Sequence, residues 1–170
     1  MKLTTLGCWG AYPYKDGGTT SYLVTSEDGF QLLMDCGSRA VTELEKEISP
    51  LDLDAVIISH YHPDHVADLG VLRHYFQLYP KHLWEPKILP IYGHTEDEQE
   101  FAKLTLDGVS QGKAYDVNGV EKIGPFDITF IKTVHPVPCY AFRIVEHATG
   151  QTLVFTGDTG YFEGLDKFAA

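Results

Sequence analysis

The chain has 170 residues, of which 44% are hydrophobic and 22% charged, a composition close to that of globular domains that excludes collagen, coiled coil and extended disorder. Its 24 acidic and 13 basic residues give a net charge of −11, which argues against a broad surface for extended nucleic acid. Neither a membrane-spanning stretch nor a signal-peptide core is found, so we expect a single cytoplasmic domain over residues 1–170.

The first fifty residues predict a strand, a loop, a hairpin and a helix. Lys2–Gly7 has the pattern of a strand, and the loop Ala11–Thr19 that follows is rich in glycine, proline and tyrosine. Ser21–Thr25 and Gln31–Asp35 predict a hairpin, because the Asp-Gly pair between them suits a tight turn. Arg39–Ile48 predicts a helix, since its apolar residues are spaced three and four apart.

The rest of the chain predicts two strands that alternate with two helices, and then three further strands. Leu53–Ile58 is a compact apolar strand, Asp68–Tyr79 has a helical pattern, and Lys87–Tyr92 predicts a short strand. Thr95–Leu106 predicts a helix with Thr95 as its cap. Three further strands are predicted at Ile128–Val134, Tyr140–Val145 and Leu153–Phe155. Strands at both ends with helices between them indicate an α/β fold.

The strongest chemical signal is the six-residue segment His-Tyr-His-Pro-Asp-His that follows the compact apolar strand. Alternate side chains of an extended chain point the same way, so His60 and His62 can converge on one metal ion. Pro63 favours an extended His62 and then permits a turn, which directs Asp64 and His65 to a second point. Imidazole nitrogen and carboxylate oxygen are ligands that zinc and similar metals accept.

Two later residues extend this candidate metal site. His135 follows a predicted strand and precedes Pro136, which again favours an extended backbone. Asp158 lies in a Thr-Gly-Asp-Thr-Gly turn, where the glycines permit a close approach of the backbone to a ligand. Alone, each residue is also typical of an ordinary loop or turn. Together with the first cluster, a metal-binding role is the better interpretation.

These motifs resemble those of the metallo-β-lactamase superfamily. Its HxHxDH signature matches His60 to His65, its third-histidine motif matches at His135, and its bridging-aspartate motif matches at Asp158. The resemblance implies an αββα sandwich that binds two divalent metal ions. Zinc is the expected ion, with manganese and iron as alternatives. The resemblance also places Asp35 as a supporting residue beside the site.

The same resemblance assigns a role to each candidate residue. One metal would be held by His60, His62 and His135, and the other by Asp64 and His65, with Asp158 bridging the two ions. Asp64 is also the catalytic candidate, because it would orient a metal-bridging hydroxide.

The residues after His135 indicate the branch of the superfamily. They differ from the H-x-x-G-H-T motif of glyoxalase II and resemble the ribonuclease Z-like phosphodiesterase branch, with Tyr140 and Arg143 in the next strand. A Gly- and Lys-rich arm for gripping transfer RNA is not evident, so the predicted substrate is a small phosphodiester or nucleotide-type molecule. Two alternatives stay open: hydrolysis of a thioester or lactone, and a non-catalytic metal-binding or scaffold role.

One departure concerns the end of the chain. The family supplies a last histidine from a strand well beyond the bridging aspartate, whereas this chain ends at Ala170, twelve residues after Asp158. We therefore expect an incomplete sandwich that is the first part of a longer protein, in preference to completion by a second chain or a degenerate member. Of the remaining histidines, only His94 is a candidate for a site role. A homodimer is considered because dimers are the commonest assembly.

Overall fold

The structure is a computed structural model that describes residues 1–80, 82–83 and 85–170. The larger of its two sheets contains β1 (Lys2–Trp9), β2 (Gly18–Thr19), β3 (Ser21–Thr25), β4 (Gln31–Met34), β5 (Ala55–Ile57), β6 (Leu89–Gly93) and β7 (Ser110–Ala114). Their spatial order is β2-β1-β3-β4-β5-β6-β7. Strand β3 is antiparallel to β1 and β4, and the strands from β4 to β7 are parallel.

The smaller sheet is antiparallel and contains β8 (Glu121–Ile123), β9 (Phe126–Lys132), β10 (Tyr140–Glu146) and β11 (Thr152–Phe155), in the order β11-β10-β9-β8. The helices are α1 (Ala40–Leu44), α2 (Pro63–Val66), α3 (Leu69–Leu78), α4 (Glu98–Ala102) and α5 (Leu165–Ala169), with a 3₁₀ turn at Pro50–Asp52. None of the helices in the described part of the chain has the length and apolar character needed to span a lipid bilayer.

The larger sheet separates two hydrophobic cores. Successive side chains of a strand point to opposite faces, so Leu33 and Val56 pack with the helices while Leu32 and Ile57 pack against the smaller sheet. The fully buried Phe142 lies in this second core. The layers are thus helices, sheet and sheet, which agrees with the predicted α/β class and with three of the four layers of the expected αββα sandwich.

Two helices differ from their predicted bounds. The helix predicted over Arg39–Ile48 is a single short helix that ends at Leu44. The prediction of Thr95 as a cap is wrong, because the side chain of Asp97 accepts the hydrogen bond from the Glu100 N–H at 3.0 Å and the helix begins one residue later. Strands β2, β7 and β8 were not predicted. Strand β2 is two residues long and lies within the predicted loop Ala11–Thr19, and β7 and β8 are short and largely polar; all three lie at sheet edges.

Candidate metal centre

The site is built at one edge of the larger sheet. Asp35 follows β4, His60 lies just beyond β5, and His94 directly follows β6. These strands are adjacent and parallel, so their carboxyl ends meet at the same edge, where α/β sheets usually bind ligands. The hydrogen bonding between β4 and β5 continues beyond the end of β4, where the Asp35 N–H donates to the Ile57 carbonyl at 2.9 Å.

Three histidines converge on one point and are called here the three-histidine group: His60, His62 and His135. The His62 Nδ1 lies 3.1 Å from the His60 Nε2 and 3.0 Å from the His135 Nε2. A tetrahedral metal with nitrogen bonds of about 2.0–2.1 Å requires nitrogens roughly 3.3 Å apart. The spacing therefore fits a metal ion held by three imidazoles.

A second group, called here the His–Asp group, consists of His60, His65 and Asp158. The His65 Nε2 lies 3.3 Å from the Asp158 Oδ1. This nitrogen is buried and has no hydrogen-bond partner among the described residues. A buried nitrogen without a partner is costly, so its position between carboxylates fits a second metal ligand.

Asp64 lies beside the His–Asp group. Its Oδ2 is 3.6 Å from the His65 Nε2 and accepts a hydrogen bond from the Ala11 N–H at 2.8 Å. That contact ties the loop after β1 to the site across 53 residues of sequence. The Asp64 carboxylate is thereby held in place at the edge of the candidate centre.

A buried hydrogen-bond network determines which ring nitrogen carries the proton in His60 and in His65. The fully buried Asp35 carboxylate accepts hydrogen bonds of 2.7 Å from the Ser59 N–H, the Ser59 hydroxyl and the His65 Nδ1–H. The Ser59 Oγ in turn lies 3.1 Å from the His60 Nδ1, which donates to it. Both histidines therefore keep their Nε2 lone pairs for a metal, the usual effect of an outer carboxylate on ligating imidazoles.

Burial and charge shift the pKa values of these histidines in opposite directions. Burial, reinforced by neighbouring histidines, lowers the pKa of His60 to about 2, which keeps its imidazole neutral. For His65, burial lowers the pKa, but the hydrogen bond and charge of Asp35, with Asp158 and Asp64, outweigh it and leave the pKa raised. His65 thus sits in a negative field that a metal cation would also occupy.

The loops that carry His135 and Asp158 are joined to each other. The Thr133 hydroxyl donates to the Asp158 carbonyl at 2.9 Å. Gly157 has a φ of 57°, and a Cβ there would lie 3.1 Å from the Cys139 Sγ. Glycine is therefore required for the turn that aims Asp158 at the site.

The structure brings five of the six predicted ligands into the two groups and places Asp64 beside them. Ser59, which joins Asp35 to His60, was missed by the sequence analysis, although its position directly before the HxHxDH motif is a visible signal. His94 lies near the site and is 1% exposed. His74 and His82 are exposed, and His147 pairs with Asp127 on the surface.

Comparison with known sequences identifies the family. The sequence model described as the metallo-beta-lactamase superfamily matches residues 14–170. The chain therefore belongs to the metallo-beta-lactamase superfamily, which confirms the resemblance found in its motifs.

Two individual proteins are among the relatives of this chain. The chain is 41% identical over 169 residues to the "Probable metallo-hydrolase YhfI" of Bacillus subtilis, covering 99% of this chain and 68% of that protein. The crystal structure of YhfI has a TM-score of 0.89 with 42% identity, covering 98% of this chain and 66% of that one. Ribonuclease Z of Methanopyrus kandleri is 29% identical over 140 residues, covering 82% of this chain and 48% of that protein. The chain thus spans about half to two thirds of the length of these relatives.

A more distant structure shares the fold. The crystal structure of a diphosphatase from the PhnP family has a TM-score of 0.65 at 17% identity, covering 84% of this chain and 62% of that chain.

Proposed function

We propose that residues 1–170 form the amino-terminal major part of a dinuclear metal-dependent phosphodiesterase domain that acts on a small phosphodiester or nucleotide-type substrate. The observation that carries this proposal is the pair of overlapping ligand groups that share His60. The three-histidine group supplies three imidazole nitrogens, and the His–Asp group supplies two imidazole nitrogens and a carboxylate oxygen, with the ligand atoms of each group within 4.8 Å of one another. Zinc accepts both donor types. The likeness to a ribonuclease Z supports a phosphodiester as the bond that is cleaved.

The geometry supports a role for each side chain. His60, His62 and His135 would hold one ion, and His65 with Asp158 would hold the other, assisted by Asp64. When bound, divalent cations polarise a phosphoryl oxygen and activate water at neutral pH. Asp35 and Ser59 hold the two inner histidines in the tautomer that offers Nε2.

We assign to Asp64 the role of accepting a proton from the attacking water. Its Oδ2 accepts a hydrogen bond from the Ala11 N–H and lies 3.6 Å from the His65 Nε2. A carboxylate held at a site edge can accept a proton without moving, which favours general-base catalysis.

Metal content and hydrolysis test the proposal together. Protein purified without chelator should contain about two zinc ions per chain and hydrolyse bis(p-nitrophenyl) phosphate. His62→Ala should lose at least about one ion and about 100-fold in rate. His74→Ala, on the exposed side of α3, is the matched control and should change neither.

Other outcomes identify the alternatives. Two ions per chain with cleavage of a thioester or lactone, and none of the phosphodiester, would replace the substrate class. Fewer than one ion per chain would refute the dinuclear centre and favour a scaffold role. Full metal occupancy in His62→Ala would show that the ligand assignment is wrong.

A further inference from the structure

A pocket of about 210 Å³ adjoins the three-histidine group and is called here the His94 pocket. His62 and Tyr61 form its wall toward the candidate metal centre, and Val137 lines it from the loop after His135. Clefts that bury whole drug-sized ligands measure roughly 300–1,000 Å³. The His94 pocket therefore has room for one arm of a substrate whose reacting group lies at the metal centre.

The polar group that lines this pocket is a buried histidine. His94 is 1% exposed, and neither of its ring nitrogens makes a hydrogen bond of good geometry to the described residues, although the Pro138 backbone carbonyl lies near enough to favour its protonation. Its ring packs against Tyr61, with centroids 4.6 Å apart, and the Tyr61 hydroxyl donates to the His94 carbonyl at 2.7 Å. The imidazole is thus held rigidly, with the Pro138 carbonyl as the nearest acceptor for one nitrogen and the other nitrogen left to accept from a ligand.

A buried imidazole nitrogen without a hydrogen-bond partner lowers the stability of the fold unless a ligand bonds to it. Each buried polar atom without a partner destabilises a fold. A neutral imidazole offers one donor and one acceptor, and burial, the largest influence, lowers the pKa of His94. Because the Pro138 carbonyl faces one N–H, the matching ligand is a group whose hydroxyl or ring N–H donates to the other nitrogen.

The charges around the pocket exclude one class of ligand. Asp97 and Glu100 line it, and the Asp97 carboxylate also caps α4. Glu100 pairs with Lys103, which leaves Asp97 without a cation among the salt bridges of the described residues. A phosphate in this pocket would face the Asp97 carboxylate, which no cation in these salt bridges neutralises, so a neutral arm is favoured.

We propose that the His94 pocket binds the neutral arm of the phosphodiester substrate, a nucleoside or sugar whose hydroxyl or ring N–H bonds to His94, and rejects arms that carry a further phosphate. This inference rests on the proposed function for the identity of the reacting group. The pocket itself can be tested without catalysis.

The first experiment measures binding of ligands that have no phosphodiester bond. Adenosine and methyl β-D-ribofuranoside are titrated into the full chain, and the imidazole resonances of His94 are followed by NMR. We expect saturable shifts with adenosine, and shifts with the riboside as well if the sugar supplies the contact. In the variants, which lack this imidazole, binding is measured by isothermal titration calorimetry, and His94→Phe, which keeps the ring volume without hydrogen bonds, should weaken binding about 10-fold or more. His94→Gln, which keeps a donor and an acceptor, should stay within about 3-fold.

The second experiment tests the charge selection on chelator-treated protein, where a phosphate cannot bind a metal. Adenosine 3′-monophosphate should bind at least about 3-fold more weakly than adenosine, because the Asp97 carboxylate would repel its phosphate. The double variant Asp97→Asn, Glu100→Gln keeps the helix cap and should reduce this ratio below about 2-fold. His74→Phe, which replaces an exposed histidine, is the control for His94→Phe in the first experiment.

The outcomes separate the pocket from the activity. If adenosine binds but bis(p-nitrophenyl) phosphate is not hydrolysed, the proposed function fails and the pocket stands. If hydrolysis occurs but neither ligand shifts the His94 resonances, the pocket proposal is overturned. Equal binding of adenosine and its 3′-monophosphate by the wild-type chain would overturn the charge selection, and this result holds even where His94→Phe does not fold.

Discussion

Replacing Asp35 with asparagine tests the buried network that holds the candidate centre. Asparagine has nearly the same shape and tolerates the left-handed backbone of this residue, whose φ is 55°. The amide oxygen can still accept the bond from the Ser59 N–H, but the amide nitrogen then faces the Ser59 hydroxyl and the His65 Nδ1–H, which both donate to Asp35.

Two consequences follow for Asp35→Asn. Losing two hydrogen bonds to a buried carboxylate, partly offset by easier burial of a neutral amide, should lower the free energy of unfolding by about 2–4 kcal/mol. His65 should also shift its proton to Nε2 to accept from the amide, which removes that nitrogen as a ligand. Zinc affinity should then fall about 10- to 100-fold.

Urea unfolding of the chelator-treated protein and a zinc competition titration measure these two effects. Asp54→Asn is the matched control, because Asp54 accepts one backbone hydrogen bond of 2.8 Å from Gln31 and is partly exposed. It should cost less than about 1 kcal/mol and leave zinc affinity unchanged. If Asp35→Asn matched the control in both assays, the network would have no role in positioning His65.

Three further predictions concern stability in the metal-free protein. The pKa of His60 falls to about 2 in the fold, so between about pH 2 and 6.5 only the unfolded chain binds a proton at this imidazole. The free energy of unfolding should therefore decrease as the pH falls below 6.5, by up to about 1.4 kcal/mol per pH unit. His60→Gln should remove this contribution to the pH dependence, which urea unfolding at several pH values measures. Gly157→Ala should cost about 2 kcal/mol or more in urea unfolding, against about 1 for Gly150→Ala, whose φ of 67° lies in open space. Leu72→Ala, at a fully buried residue of α3, should lower the free energy of unfolding by about 2–5 kcal/mol. The control Val71→Ala, at an exposed residue of the same helix, should change it by no more than about 0.5 kcal/mol. Equal losses in the two variants would contradict the helix packing.

The sequence allowed the ligand groups to be predicted because their geometry is largely local. His60 and His62 follow a buried strand, so period-two alternation alone indicates that they converge. The separation of 3.1 Å between their ring nitrogens in the structure agrees with that expectation. The assignment of Asp64 and Asp158 to particular ions stays a prediction, since it came from the resemblance.

The contacts that could not be predicted join distant segments through the backbone. The Ala11 N–H reaches Asp64 only because Ala11 adopts a φ of 62°, which nothing in its side chain favours. The α4 cap is similar: Thr95 and Asp97 are both good caps by residue type, and the packing of the chain, not local propensity, selects Asp97. Strand β7 lies at a sheet edge with a polar sequence, so its pairing with β6 has no hydrophobic signature.

The shared position of His60 gives the candidate centre its most specific physical property. Its imidazole belongs to both ligand groups, and its Nδ1 proton is held by Ser59, which donates to the same Asp35 oxygen that accepts from His65. A change at Asp35 therefore reaches both groups, through His65 directly and through Ser59 to His60. Because a change at His135 touches only the three-histidine group, the Asp35 and His135 variants should differ in which ion is lost first, and metal titrations of the two can distinguish a coupled centre from two independent sites.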